Sequence, residues 1–523
     1  IKRCYELINA GGKLALIHPL TFMFIKTFED VRKFILDKLH INIFVDYGLS
    51  NLFGAVVVDP AFYVLEKAIA KSEKSLFISL DQYTRTPNEK YKKEFCLEAL
   101  KDYIDNRPNK HNITLPQEKL KIIDGWPFIY WISDDFRVKF KEDSIESHYK
   151  TAVGLMTGNN DRFLRYHWEI HNDNISKDYR KDNLKWVPYQ KGGKFNKWYG
   201  NNWLVVNYEN NGKYLASRTN QKYYFKPGIT YSATSTKGVS YRFLPNNSIF
   251  DIKGSCVFPI SEIANNHICC ALLNSSIATF IVKSLNRTVE TQTGDVKRIP
   301  FILPDNAIQT NITNLTNKNI LNKKQIYRYL VNETNYTLSP LLAFRNPTLK
   351  DRSFAYLSYE NFRLTEILLN EAIIDELVYE IYELSDVDRE QVEAKMGKSI
   401  GALPVFKAAK DAFLVQLEDP LAIVIEHIQN LPETEFKDEK IREITDGFSS
   451  LYQSNNDLEE FCKRHQVNPI NVWYWFRAAN ILPKGRAAEI ALEFLADTIR
   501  TILQQDDDGI IPLVGLPGED ALS

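Results

Sequence analysis

The apolar pattern changes its period along this chain, and each change restricts what the segment can fold into. Residues 1–74 alternate helical and extended patterns, as α/β units do. "IKRCYELINAGG" predicts a helix closed by Gly11 and Gly12, because glycine enters the left-handed conformation that ends helices. "KLALIHP" predicts a strand stopped by Pro19, "TFEDVRKFILDKLH" an amphipathic helix, "INIFVDYG" a strand, and "AVVVDPAFYVLEK" a longer strand with a proline inside it. The set reads as the second half of an open α/β sheet. Residues 75–150 read as a bridging segment in which Trp126, Phe128 and Trp131 of "DGWPFIYWI" supply packing. Residues 151–302 turn to short strands between Gly and Asn turns, with one apolar helix over "ICCALLNSSIATFIVKSL", an α+β pattern. Residues 303–350, rich in Asn and Thr, read as a linker or irregular segment. From 351 to 523 the spacing is helical, with Ser385, Asp388 and Gly397 marking the start and stop of one helix. The expected fold class is therefore α/β, then α+β, then all-α.

Charge divides the chain in the same way. Its formal net charge is −1, yet residues 151–300 hold 20 Lys+Arg against 10 Asp+Glu, and residues 366–523 hold 14 against 31. A basic middle and an acidic tail suit different partners, or one another. No apolar run approaches the length of a membrane span, and no signal peptide opens the chain. The six cysteines are scattered, with neither a CxxC pair nor a histidine at finger spacing, so no metal site and no disulfide framework is expected and a reducing cytoplasm is the plain reading. The chain begins at Ile1 in what reads as mid-helix, so a fragment of a longer protein is expected. Walker, G-x-S-x-G and H-E-x-x-H motifs are missing from it.

What remains points to nucleic acid. "KWVPYQKGGKFNKWYGNN" places Lys185, Lys191, Lys194 and Lys197 among Trp186, Tyr189, Trp198 and Tyr199, with no acidic residue. Lysines so spaced neutralise phosphates, while the aromatics form a platform or hold the loop rigid. "KPGITYSATSTKGVSYRFLPNN" adds Lys226, Lys237 and Arg242 with hydroxyl donors, and no amphipathic apolar face accompanies them, which favours double-stranded DNA over membrane. The turn Gly158–Asn159–Asn160 offers backbone amides to a phosphate, and Thr157, Asn159, Asn160, Arg162 and Arg165 are candidates to reach phosphates or base edges. Phe53, in a Gly-flanked loop before a strand, is an aromatic that can stack on an extruded base. Asp59-Pro60-Ala61-Phe62-Tyr63 superficially resembles the D/N-P-P-Y/F loop of adenine methyltransferases, but it has alanine for the second proline and lies inside a strand pattern. "DLEEFCKRHQVNPINVWYWFRAANI" has a helix-turn-helix outline whose second helix is too apolar to read bases, so it is expected to be a packing hairpin.

Taken together, "GGKLALIHPLTFMF" and "YGLSNLFGAVVVDPAFYVLEK" resemble the later sheet motifs of γ-type N6-adenine DNA methyltransferases. "GLMTGNNDRFLRYHWEI", "KWVPYQKGGKFNKWYGNNWLVVNYENNG", "KPGITYSATSTKGVSYRFLP" and "LNRTVETQTGDVKRIP" resemble the target-recognition part of the PglX family from BREX phage-defence systems, and the final "GRAAEIALEFLADTIRTILQQDDDGIIPLVGLPGE" resembles that family's C-terminal end. The resemblance implies a partial Rossmann-like methyltransferase sheet over 1–74, a DNA target-recognition domain over 151–302 and an acidic helical domain over 351–523 that can bind other BREX proteins. It implies methyl transfer from S-adenosylmethionine to adenine N6 in duplex DNA, with Phe53 stacking on the flipped adenine. The family's glycine-bearing cofactor motif and N-P-P-Y loop occur nowhere in these residues, so this polypeptide alone is expected not to methylate DNA. The alternatives are a type IIG fused restriction-modification enzyme and a non-enzymatic DNA-specificity module.

Overall fold

The computed structural model describes residues 1–53, 56–68, 73–234, 237–288, 290–453 and 457–505, with the side chains of 51–53, 56–57 and 504–505 outside the description. Its first sheet is five-stranded. The strands are β1 (Lys13–Pro19), β2 (His40–Asp46), β5 (Pro60–Glu66), β6 (Ser75–Ser79) and β7 (Asn112–Leu115), in the order β1-β5-β2-β6-β7. β5 runs antiparallel to β1 and to β2, β2 is parallel to β6, and β7 closes the far edge antiparallel to β6. The chain thus makes a mixed sheet with Glu29–Lys38 as its helix. β5 alternates its faces and stacks Tyr63 on Phe44 at 5.7 Å, while Phe22 and Phe128 pack around the pair.

Two expectations for this region are corrected. The long strand "AVVVDPAFYVLEK" is broken at Asp59: β4 (Val56–Val58) folds back on β3 (Ser50–Phe53) as a hairpin, and the strand resumes at Pro60. Proline donates no ladder hydrogen bond, which suits it to a strand's first position rather than its middle. Residues 75–150 also do more than bridge, because they supply β6 and β7. The sheet therefore crosses the boundary drawn at residue 74.

The next part is built from short strands: β8 (Tyr149–Ala152), β9 (Leu155–Met156), β10 (Leu164–Tyr166), β11 (Trp186–Gln190), β12 (Leu204–Asn207), β13 (Ser217–Arg218), β14 (Gly228–Tyr231), β15 (Tyr241–Leu244), β16 (Ile249–Phe250) and β17 (Cys256–Pro259). They form two four-stranded sheets, β10-β12-β11-β16 and β15-β14-β17-β8, and the small pair β13-β9. The single apolar helix read from the sequence is two, Asn266–Asn274 and Ser276–Leu285, bent by 68°. Ser275 is extended there (φ −71°, ψ 160°), and its side chain accepts from the Ala278 amide, so one residue ends the first helix and caps the second. Both helices are buried against the sheets. This bent pair meets the length and composition of a membrane span, whereas no single helix among the described residues does.

Residues 303–350 are not a linker. They contain the 22-residue helix Asn306–Tyr327, capped by Asp305, whose carboxylate accepts from the Ala307 and Ile308 amides. The Asn and Thr content concealed it. Ile312, Leu315, Ile320 and Ile326 keep a helical stripe, and the buried Asn319 accepts from Asn370 Nδ2 at 2.8 Å across the seam with the 34-residue helix Leu349–Tyr382. Asn370 answers the Asn319 oxygen there, while Asn319 Nδ2 is buried without a partner among the described residues. The helical segment beyond packs as expected. Ser385 accepts from the Asp388 amide and Gly397 (φ +83°) ends that helix. S385A is expected to cost about 1 kcal/mol of unfolding free energy, measured by denaturant titration. In the helix Pro469–Ala479, Ile470, Val472, Trp473 and Phe476 are buried, which bears out the packing hairpin. One core runs from Leu14 through Tyr231 to Tyr382, joining the first sheet, the β15-β14-β17-β8 sheet and the helices, while Val187, Val206 and Phe250 of the other four-stranded sheet pack in a cluster of their own.

Candidate nucleic-acid interface

A cavity of about 830 Å³ opens where the three parts meet, walled by Leu49 and Asp59 from the first sheet's loops, Val239 and Arg287 from the middle part, and Met396 from the helices. Its floor is an ion pair. Asp46, at the end of β2, is 0% exposed, and Arg287 Nη1 lies 2.7 Å from its Oδ2 and 3.9 Å from Asp81. Tyr130 donates its hydroxyl to the same Asp46 oxygen at 3.0 Å. The guanidinium lies over Trp131 at 4.7 Å and Phe24 at 5.4 Å. Burial works against the Arg287 charge, but Asp46 and Asp81 outweigh it and raise its pKa. The strand break places Asp59 on the cavity wall, where burial, with Asp46 beside it, pushes its carboxyl up to about 6. Asp59 Oδ1 is buried and has no hydrogen-bond partner among the described residues.

The 157–165 turn is built as its sequence suggests, but most of its polar groups are used internally. Thr157 is buried and donates to Asn160 Oδ1 at 2.7 Å. Asn159 caps the short helix Asn160–Phe163 through the Arg162 amide at 3.0 Å. Arg165 donates to the Asp161 and Leu164 carbonyls and lies 5.9 Å over the Trp186 ring. Asn159, Asn160 and Arg162 remain exposed, while Thr157 holds the turn rather than facing solvent.

The basic stretch divides more sharply. Lys191 and Lys194 reach solvent, and no ion pair joins either to another described residue. Lys197 is corrected: its Nζ lies 2.9 Å from Glu371 on the long helix, and Glu371 also accepts from Trp198 Nε1 at 2.6 Å. Burial opposes the Lys197 charge, yet Glu371 and Glu459 raise its pKa. Arg242 is corrected too. It is 0% exposed and its guanidinium holds the Asn196 and Gly192 carbonyls and Ser232 Oγ at 3.3–3.4 Å, so it braces the 191–202 loop and faces no DNA. Lys237 is half-exposed and pairs with Glu460 at 2.6 Å and Asp457 at 3.4 Å. Tyr189, Trp198 and Tyr199 are buried, and Tyr189 donates to Asp251 at 2.5 Å, so these aromatics stiffen the loop. The Phe53 side chain lies outside the described residues. Sequence reasoning missed Asp46 and Arg287. Arg287 stands inside "LNRTVETQTGDVKRIP", and nothing local in that stretch names its partner.

Gly48 follows β2 (φ +71°), and a Cβ placed on it would stand 2.6 Å from Thr84 Oγ1 and 2.8 Å from the Asp81 Cα, so protein already fills the space beside it.

No family model matches the chain. It is 29% identical over 395 residues to the adenine-specific methyltransferase BrxX of Escherichia coli O9:H4 (strain HS), covering 73% of this chain and 30% of that protein. It is 25% identical over 420 residues to the adenine-specific methyltransferase PglX of Lacticaseibacillus casei (strain Zhang), covering 74% and 33%. The chain thus spans about a third of the curated relatives it matches. Among solved structures, the type IIL restriction-modification enzyme MmeI in complex with DNA matches with a TM-score of 0.42 at 11% identity, over 74% of this chain and 50% of that one. The type IIG restriction endonuclease BpuSI matches with a TM-score of 0.25 at 11% identity, over 73% and 48%. The two methyltransferases bear out the resemblance to the PglX family.

Proposed function

We propose that this relative of the adenine-specific methyltransferases is the target-recognition and C-terminal part of a BREX-type enzyme that methylates adenine N6 in duplex DNA. The observation that carries the reading is the sequence kinship with BrxX and PglX over nearly three quarters of the chain. The mixed sheet β1-β5-β2-β6-β7 would be the later half of the methyltransferase sheet, with S-adenosylmethionine as methyl donor held elsewhere in the enzyme. Residues 151–302 would read the target, using Asn159, Asn160 and Arg162, while Lys191 and Lys194 hold the backbone. Phe53 would stack on the flipped adenine. The acidic helical part would dock other BREX proteins.

Duplex-DNA binding across a salt series tests this. K191A/K194A should bind more weakly and lower the slope of log K against log salt by about one to two, since each neutralised phosphate contributes about 0.9. A wild-type chain with no salt-dependent affinity for duplex DNA would sink the reading. An unchanged slope in the double variant would show that the two lysines are merely solvated.

A further inference from the structure

The cavity is walled by more positive charge than the ion pairs within it use. Arg287 is committed to Asp46 and Asp81. Lys283, on the last turn of Ser276–Leu285, and Lys395, on the last turn of Asp386–Met396, both line the cavity, as does Arg85 from the loop after β6. Among the described residues, no carboxylate stands within ion-pair distance of these three side chains. Burial lowers the pKa of both lysines, reinforced at Lys283 by Lys463 and at Lys395 by Arg287, with Asp81 and Asp46 partly opposing it at Lys395. Lys395 and Arg287 sit 5.1 Å and 4.7 Å over the same Trp131 ring. Both lysine side chains reach solvent at the cavity wall, free of a close ion-pair partner among the described residues, so an arriving anion can take them without breaking a pair. Around them the wall presents the hydroxyls of Thr84, Ser284 and Thr291, which suit phosphate oxygens, while the Asn286 amide and Thr288 hydroxyl donate to Glu290 and Asp295 within the wall. Asp59 and Asp81 are the carboxylates on the wall, and Asp81 is drawn toward Arg287.

We infer that Lys283 and Lys395 bind backbone phosphates of duplex DNA, so that the acidic helical part reaches the DNA through Lys395 and forms the third wall of the groove. This rests on the DNA-recognition reading above. It assigns the contact to residues remote in sequence from the basic stretch, from two different parts of the fold. It also gives the helical part a role on the DNA beyond docking proteins.

The experiment compares wild type, K283Q/K395Q and K350Q in duplex-DNA binding across a salt series, with unfolding curves confirming equal stability. Lys350 is an exposed lysine outside the cavity. The double variant should bind about tenfold or more weakly at low salt, with a slope lower by about two, and K350Q should match wild type. Wild-type affinity and slope in K283Q/K395Q would overturn this inference and leave the DNA-recognition reading standing. Absence of salt-dependent binding by wild type would overturn both. Full displacement of DNA by inorganic phosphate at matched ionic strength would reassign the lysines to a small-anion site and also overturn it.

Discussion

Arg287→Ala should destabilise the folded protein by about 3–5 kcal/mol, the cost of leaving one member of a buried ion pair alone. Asp46 has no access to water, and after the change only the Tyr130 hydroxyl would answer its carboxylate. Asp46→Ala should cost less, because Arg287 keeps 17% side-chain exposure and still has Asp81 at 3.9 Å. Urea unfolding of the two variants gives the order directly, and equal losses would contradict it. A pH series adds a second reading. Burial already raises the Asp46 pKa, partly offset by Arg287, and removing the guanidinium raises it further. A carboxyl whose folded pKa lies above its unfolded value favours folding when protonated. R287A should therefore recover stability as pH falls from neutral toward the ordinary carboxylate range, while D46A should not. Because the pair ties the end of β2 to the middle part, R287A should also loosen the cavity wall.

Glu371→Ala is the second large effect. Glu371 receives both the Lys197 ammonium and the Trp198 indole N–H, and its side chain is 13% exposed against 19% for Lys197. Removing it takes the Lys197 cation's contact partner, leaving Glu459 and Asp375 farther off, and leaves the buried Trp198 donor unanswered, for an expected loss of about 2–4 kcal/mol. Glu371→Gln should lose less, since an amide oxygen still accepts from Trp198. The reciprocal K197A should lower stability and leave the salt slope of DNA binding unchanged, which sets it apart from K191A/K194A. A drop in slope for K197A would restore that lysine to the DNA face.

Lys197, Lys194 and Lys191 are alike in the sequence, and only their surroundings distinguish them. Glu371 lies 174 positions from Lys197, so no window along the chain could pair them. Arg242 looked like another phosphate ligand because its neighbours are hydroxyl residues. Those neighbours are strand positions that fold inward and take the guanidinium with them. Helix Asn306–Tyr327 was hidden for a related reason: asparagine signals a turn unless a partner such as Asn370 satisfies it. Lys283 and Lys395 passed unremarked in an apolar helix and an acidic one.

The sequence by itself determined what is local. The strands β1 and β2, the helix after Ser385, its stop at Gly397 and the hairpin around Asn468 follow from side-chain period and from caps that reach only two or three residues along the chain. The basic middle and acidic end, and the kinship with adenine-specific methyltransferases, were legible there as well. Tertiary structure decided which charges are spent and which are left over. Coulomb attraction and desolvation depend on distance through space, and Asp46 with Arg287, or Lys197 with Glu371, become neighbours only when the first sheet, the middle strands and the long helix close on one another.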